Sequence, residues 1–596
     1  MLFFQLTILL LWELLCNQLV NHLLGVEQMT KNFSAWPANF SKNLVYPEIP
    51  VFEFLNQSAQ RCPNRIAIVF AGSEMTYLEL KILSERFASG LHELGVKKGD
   101  RVAIGLPNCP QFAIAYYGIM RLGAIFTPLS PLLSAKEVTH QLKDSGASTL
   151  ISLDLLFPGI KDIISLTDVK NIITTSLADT YNSIVAPIKP IGKIEVPETY
   201  DMAKILAEHE PFADEIVIDV KKDLAHLAYT GGTTGVSKGV MISHYNVVVN
   251  VLQFGNWACG STVEWSSGQL KTVFLPELPA SLRYDQDNET TMVIPPWFHA
   301  MGTVGFLNMQ IFIGATMIVL PRFEVDDYLE NLKKYKATLL GGAPQLFIPL
   351  LSHKEFSEYD LCSVKIITSG AAPLPDVLIH SMLSSFENAY INEAYGCTEC
   401  TMGATSNPPG REHSKVGSVG LPVFDTEIKI INLTNGTELT QHEEGEICIK
   451  GPQVMMGYWK NQDATRAVLE DGWLHTGDIG KLDEDGFLFI TDRLKDMIIY
   501  KGYNVYPREL EEVLYQFPDV EQAAVLGKKD DSAGEIPVAF VKRVENSQVN
   551  EEILLEFVNS KIAVYKKLRK IYFVDSIPVS GAGKILKREL RDQLES

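Results

Sequence analysis

Positive charge is in short supply in this chain: 52 Lys and Arg stand against 72 Asp and Glu, for a formal net charge of −20. A nucleic-acid surface needs a basic stripe to displace counterions, so this balance argues against nucleic acid as a partner. Cysteine is sparse, with eight in 596 residues and no framework spacing. That excludes a disulfide scaffold and fits a reducing, cytoplasmic setting. Long apolar runs are missing as well. Met1 to Trp12 is apolar, but Glu13 interrupts it before the roughly 20 residues a spanning helix needs, and no Lys or Arg precedes it as in a signal peptide. Residues 1–28 read as an apolar leader upstream of a start at Met29, with a weak, peripheral membrane anchor as the alternative. Repeats and low-complexity tracts are absent too.

What is present is ordinary globular stock, 46% hydrophobic and 21% charged. The most informative stretch is Tyr229-Thr-Gly-Gly-Thr-Thr-Gly-Val-Ser-Lys238-Gly. Glycines let successive backbone N–H groups converge on an anion, hydroxyls add donors, and the lysine supplies a point charge. This is a polyphosphate loop, but not the common one, in which Ser or Thr follows the Gly-Lys pair. Here Ser237 precedes the lysine and Gly239 follows it.

Further motifs follow in order: Ser369-Gly-Ala-Ala-Pro-Leu-Pro375, Glu393-Ala-Tyr-Gly-Cys-Thr-Glu399, Gly445-Glu-Ile-Cys-Ile-Lys-Gly451 and Gly472-Trp-Leu-His-Thr-Gly-Asp478. Then come Asp492-Arg-Leu-Lys-Asp496, Lys501-Gly-Tyr-Asn-Val-Tyr-Pro507 and Pro578-Val-Ser-Gly-Ala-Gly-Lys584. Their order and spacing resemble the adenylate-forming superfamily: acyl-CoA synthetases, aryl-CoA ligases, luciferases and peptide-synthetase adenylation domains. The resemblance runs from about residue 50 to the end and is greatest to medium- and long-chain fatty-acid–CoA ligases. Cys397-Thr-Glu-Cys400 spells a CxxC, but a zinc ribbon needs a second such pair and a redox motif a small βαβ context.

The resemblance implies a reaction. A carboxylate is a poor electrophile, and attaching AMP turns it into a mixed anhydride with a good leaving group. ATP, Mg²⁺ and coenzyme A are the implied cofactors, and a small carboxylic acid is the substrate. Thr230, Gly231, Gly232, Thr233, Thr234, Gly235 and Lys238 are expected to wrap the β- and γ-phosphates. Glu399 is the implied Mg²⁺ ligand, with Thr398 on the α-phosphate. Ser369, Gly370, Ala371, Ala372 and Pro373, with Tyr395 and Gly396, are expected at the adenine. Asp478 matches the ribose binder, reinforced by Arg493. Lys584, in a flexible loop, matches the lysine that balances charge between carboxylate and α-phosphate. His299 matches a position lining the carboxylate pocket, although a lone histidine in an apolar run is commonly a core residue.

For the thioester half-reaction, the resemblance implies a hinge at Lys495, rotation of the C-terminal domain, and Gly502 making room for pantetheine. Acetate-specific relatives carry a tryptophan where this chain has Gly396, so a longer or aromatic acid is expected. Gly341, Gly342 and Gly370 are expected to widen that space, and Trp257 falls near a fatty-acid gate. The interval from Lys238 to His299 is longer than in most relatives, with roughly Ser261 to Glu289 as the extra segment, expected to reshape the acyl entrance. Aryl-CoA ligase and fatty acyl-AMP ligase remain alternatives, with a non-catalytic, membrane-anchored lipid binder more distant. Lys566-Lys-Leu-Arg-Lys570 and Lys584-Ile-Leu-Lys-Arg588 read as solvated faces or as attraction for CoA phosphates. Homodimer formation stays open.

Periodicity predicts the fold class. A strand over Arg65–Phe70, a helix from Thr76 to Leu94, a strand over Asp100–Leu106 and a helix over Cys109–Leu122 alternate as in βαβ units. From Val416 the pattern shortens to strands, and after Arg493 it reads as compact α+β, with Pro507 opening a helix through Tyr515. The expectation is an α/β protein: a large N-terminal domain (29–492) of parallel-rich sheets packed with helices, plus a small β-barrel-like part. A small mobile α+β domain follows (493–596).

Overall fold

The computed structural model describes residues 35–36, 40–179, 192–230, 237–274, 283–370, 374–501, 503–530, 533–580 and 584–595. All of residues 1–28 therefore lie outside the description, as do Gly231 to Gly235, Ala371 to Pro373 and Gly502. Two large sheets organise the N-terminal part. One runs in the order Gly457–Tyr458, Lys238–Ser243, Leu224–Thr230, Ile125–Pro128, Arg101–Gly105, Thr149–Leu153, Asn171–Thr175, Tyr200–Asp201. The other runs Leu421–Pro422, Thr405–Ser406, Tyr390–Tyr395, Ile366–Ser369, Leu339–Gly342, Thr290–Val293, Thr316–Val319, Ile66–Phe70, Ser73–Thr76. Both are parallel in their centres and antiparallel at an edge.

Parallel strands need both faces covered, and the burial shows it: Ile125–Pro128 and Thr149–Leu153 are buried at every position. In the second sheet the faces alternate with period two. Ile68, Met317, Leu339 and Ile366 join a core shared with the first sheet, whereas Val69, Ile318, Leu340 and Ile367 join a second core under outer helices. The shared core holds the helices Tyr77–Glu93, Pro110–Arg121 and His244–Cys259. The last is buried almost all round, which suits a helix between two sheets. Local chemistry sets the helix starts: Thr76 and Glu79 form a capping box, and Pro110 and Pro507 occupy first turns.

From Glu427 the strands become antiparallel, in a five-stranded sheet of Glu427–Ile431, Gly445–Lys450, Trp473–Leu482 and Leu469–Glu470, with Leu488–Arg493 pairing the long third strand. Beyond Arg493 lies a separate five-stranded sheet with its own cores. Val525 and Val541 pack on helices Pro507–Tyr515 and Glu551–Asn559, and Leu526 and Phe540 pack near Leu590. Arg591 to Asp496 at 2.6 Å and Lys587 to Glu511 at 2.9 Å tie the last helix, Lys587–Glu595, back to the start of this unit. The interval 261–289 contains a β-hairpin, Ser261–Ser266 and Gln269–Phe274, turned at Ser267 and Gly268 with φ of 52° and 76°.

Candidate active site

Ligand clefts in parallel α/β sheets lie beyond the carboxyl ends of the strands. Thr230, Ser369 and Tyr395 each end such a strand, and Pro295 to His299 follow Thr290–Val293. Thr230 and Lys238 are register partners, so the two ends of the glycine-rich loop are fixed side by side. The His140 imidazole reaches the Ser237 carbonyl with Nε2 at 3.0 Å, and the Tyr229 hydroxyl donates to Asp144 at 2.6 Å.

Tyr458 pairs with Val240 on the neighbouring strand and bridges two expected site residues. Its hydroxyl donates to Glu399 at 2.7 Å, and Lys238 Nζ lies 4.4 Å from its ring centroid. Glu399 and Thr398 sit in a short 3₁₀ turn, Thr398–Cys400, held by the Met455 N–H on the Glu399 carbonyl at 2.8 Å. A single carboxylate at a polyphosphate loop suits a hard divalent cation that keeps several waters, and Glu399 is so disposed. The Cys397 and Cys400 sulfurs are 3.7 Å apart, with the Cys397 thiol pushed up by the hydrogen bond it donates to Cys400 and by burial.

The Ser369 hydroxyl is buried and has no hydrogen-bond partner among the described residues. Gly370 lies beside Met301, whose Sδ would be 3.4 Å from an added Cβ. Tyr395, expected against the adenine, sends its hydroxyl to Asp478 at 2.7 Å. Asp478 is placed by a bulge. The strand Gly445–Lys450 pairs Glu446 with Ile479 but Cys448 with His475, so β-pairing skips Thr476 to Asp478. Gly477 turns there with φ of 71°, its N–H held by Glu446 at 3.0 Å. Arg493 is the register partner of Asp478, and its Nε lies 3.8 Å from the carboxylate.

Lys584 comes from the C-terminal unit, where its carbonyl accepts the Ser580 N–H at 2.7 Å. Its side chain keeps solvent access, with enough protein around it to weaken its hydration. That surrounding lowers the ammonium to about 8, with Arg493 adding to the effect and Asp478 opposing it. His299 sits similarly. It lines the opening, and its surroundings, with Lys584 facing it, lower the imidazole to about 4, so it is neutral across ordinary pH. Asn108 fixes its segment, donating to the Pro295 carbonyl at 3.0 Å and accepting the Trp297 N–H at 2.7 Å. Lys495 is likewise lowered, by desolvation and by Arg493, with Asp496, Asp478 and Glu399 opposing.

Residues 55–459 match the family described as AMP-binding enzyme, and residues 509–584 match the AMP-binding enzyme C-terminal domain. The chain belongs to the AMP-binding enzyme family. It is 36% identical over 569 residues to a long-chain-fatty-acid–CoA ligase of Bacillus subtilis, covering 94% of this chain and 97% of that protein. It is 35% identical over 555 residues to 4-coumarate–CoA ligase 1 of Solanum tuberosum, covering 92% and 94%. Among solved structures, ATP-bound MatB from Rhodopseudomonas palustris is similar with a TM-score of 0.77 at 26% identity, over 92% of this chain and 99% of that one. The anthranilate CoA ligase AuaEII, in complex with anthranoyl-AMP, has a TM-score of 0.80 at 24% identity, over 92% and 98%, and supports the fold alone. Within the family, the chain is an AMP-forming acid–thiol ligase of the acyl-CoA synthetase type.

Where this family member was expected to open room for the acid, the structure differs. A Cβ on Gly396 would lie 2.2 Å from the Met402 carbonyl, so close backbone approach demands the glycine and no void stands beside it. The Phe306 ring covers Gly341, where a Cβ would meet it at 1.9 Å. Trp257 is fully buried, donates to the Asn407 carbonyl at 2.8 Å, and packs against Trp36, Phe40 and Phe424. Sequence reasoning passed over Tyr458, Asn108 and His140. Only Tyr458 carried a signal, an aromatic in Gly457-Tyr-Trp459 between two recognised motifs. Among the described residues, no helix is long and apolar enough to cross a membrane.

Proposed function

We propose that this ligase activates a medium- or long-chain fatty acid as acyl-AMP, with release of pyrophosphate, and passes the acyl group to CoA. The observation that supports the reading is the Arg493–Asp478 pair at 3.8 Å, with Lys584 close enough to be shifted by both and His299 close enough to be shifted by Lys584. Lys238 and Thr230 hold the polyphosphate. Asp478 accepts from the ribose hydroxyls and Ser369 bonds the adenine edge. Neutral His299 borders the acid, and Lys584 stabilises charge as the carboxylate oxygen attacks the α-phosphorus. Glu399 holds Mg²⁺, which supplies charge neutralisation at the phosphate oxygens.

The domains divide at 492–493, and Lys495 is the hinge. Turning about it withdraws Lys584 and brings the 501–504 loop, with Gly502, to the acyl-AMP for attack by the CoA thiol. The fatty-acid assignment is supported by the relative named a long-chain-fatty-acid–CoA ligase. An aryl acid is the second reading, favoured by the Phe306 ring over Gly341 and by the relative named a 4-coumarate–CoA ligase. The test is mass-spectrometric product analysis with ATP, Mg²⁺, CoA and acids from acetate to palmitate, plus benzoate and 4-coumarate. Palmitoyl- or octanoyl-CoA with AMP is the expected product. Preference for an aromatic acid would replace the fatty-acid reading, and acyl-AMP without thioester would overturn the CoA step.

A further inference from the structure

One cluster outside the nucleotide cleft groups three metal-ligating side chains of different kinds: Glu446, Cys448 and His475. Cys448 and His475 are register partners on adjacent strands, and Glu446 lies two residues along from Cys448, on the same face by the period of a strand. Ile447 and Ile449 point the other way, into the main core. Cys448 Sγ is 3.6 Å from His475 Nδ1, which is 3.1 Å from a Glu446 oxygen. All three ligand atoms lie within 4.8 Å of one another.

These separations suit a shared ion. A tetrahedral zinc with bonds of about 2.3 Å to sulfur and about 2.0–2.1 Å to nitrogen and oxygen sets S···N near roughly 3.5 Å and N···O near roughly 3.3 Å. The surroundings also resemble an outer shell. His475 Nε2 lies 3.8 Å from Glu470, and the second Glu446 oxygen accepts the Gly477 N–H. Lys429, opposite Cys448 in the sheet, has its ammonium over the Trp473 ring at 4.2 Å.

We propose that Glu446, Cys448 and His475 bind a borderline-soft divalent transition metal of the Zn²⁺ kind, with water completing the tetrahedron. The thiol gives its proton to solvent as the sulfur–metal bond forms. Thiolate and imidazole distinguish this site from the all-oxygen chemistry expected of Mg²⁺ at Glu399. Because Glu446 also holds the bulge that aims Asp478, the site is coupled to the residue expected at the ribose.

The test uses the full chain, stripped with chelator and titrated with Co²⁺ alone. One Co²⁺ per chain with a near-ultraviolet sulfur-to-cobalt band is expected, displaced by Zn²⁺. Cys448→Ser removes the band, and His475→Gln weakens Co²⁺ affinity about tenfold or more. The Cys397→Ser/Cys400→Ser variant keeps the band, and oxygen-only binding at Glu399 gives none. Circular dichroism checks folding; should Cys448→Ser be unfolded, half-buried His475→Gln decides. Absence of a sulfur band, its survival in Cys448→Ser, an unchanged affinity in His475→Gln, or its loss in the Cys397/Cys400 variant would each overturn the proposal.

Discussion

The Tyr458 hydroxyl donates to the Glu399 carboxylate at 2.7 Å, and the same ring carries Lys238 over its face. One aromatic side chain thus spaces the expected phosphate lysine from the expected metal carboxylate. A hydrogen bond to a charged group contributes about 1.5–3 kcal/mol, so Tyr458→Phe should raise the KM for MgATP roughly tenfold with little change in kcat. ATP–pyrophosphate exchange at varied Mg²⁺ measures this. An unchanged KM would remove Tyr458 from nucleotide binding.

Lys584→Ala should lower acyl-AMP formation by about 10²–10³-fold or more, the scale for losing a group that stabilises transition-state charge. Thioester formation from supplied acyl-AMP should stay within about threefold. Equal losses in both half-reactions would contradict the reading in which Lys584 withdraws before thioester formation.

The depressed Lys584 ammonium gives a pH signature. The proposed role needs its charged form, and burial brings its deprotonation near 8 rather than near 10.5. The kcat/KM of ATP–pyrophosphate exchange, measured without CoA so that no substrate thiol titrates, should therefore fall as pH rises through about 8. Neutral His299 should add no break near pH 6.5. A flat profile to pH 9.5 would exclude Lys584 as the titrating group.

Glu393 supplies a stability signature. It is buried between sheet and C-terminal unit, and burial raises its carboxyl to about 8; Arg508 lowers it, while Glu512 and Asp376 raise it. Between its usual value of 4.5 and 8 the native state binds more protons than the unfolded state, so this group's contribution falls as pH rises. Glu393→Gln should be more stable than the parent at pH 8, by about 1–3 kcal/mol, with the difference vanishing towards pH 5. Thermal melts across that range test the sign.

Local structure was legible because local chemistry dictates it. The Thr76 capping box and Pro507 fix their helix starts, and apolar runs mark the strands Ile66–Phe70 and Arg101–Gly105. The motif order assigns Lys584 and Asp478 to one expected site, although 106 positions separate them. Space was not legible. A glycine in sequence says nothing of what stands beside it, and the Met402 backbone and the Phe306 ring fill the room expected at Gly396 and Gly341. Trp257 meets Trp36 and Phe424 only through the fold. The segment 261–289 read merely as extra length, though its Ser267-Gly268 turn makes a hairpin.

Gly477 has a second tie: its carbonyl accepts the Leu494 N–H at 2.9 Å, one residue before Lys495. The peptide that aims Asp478 is thus shared with the junction between the two units. Any swing about that junction strains or releases the same bonds that a ribose would settle against. By reciprocity of linked equilibria, whatever interdomain posture tightens nucleotide must itself be favoured by nucleotide to the same degree. On the proposed swing about Lys495, loss of pyrophosphate would become a change in the weighting of postures, and this single backbone unit the escapement that times one half-reaction against the next.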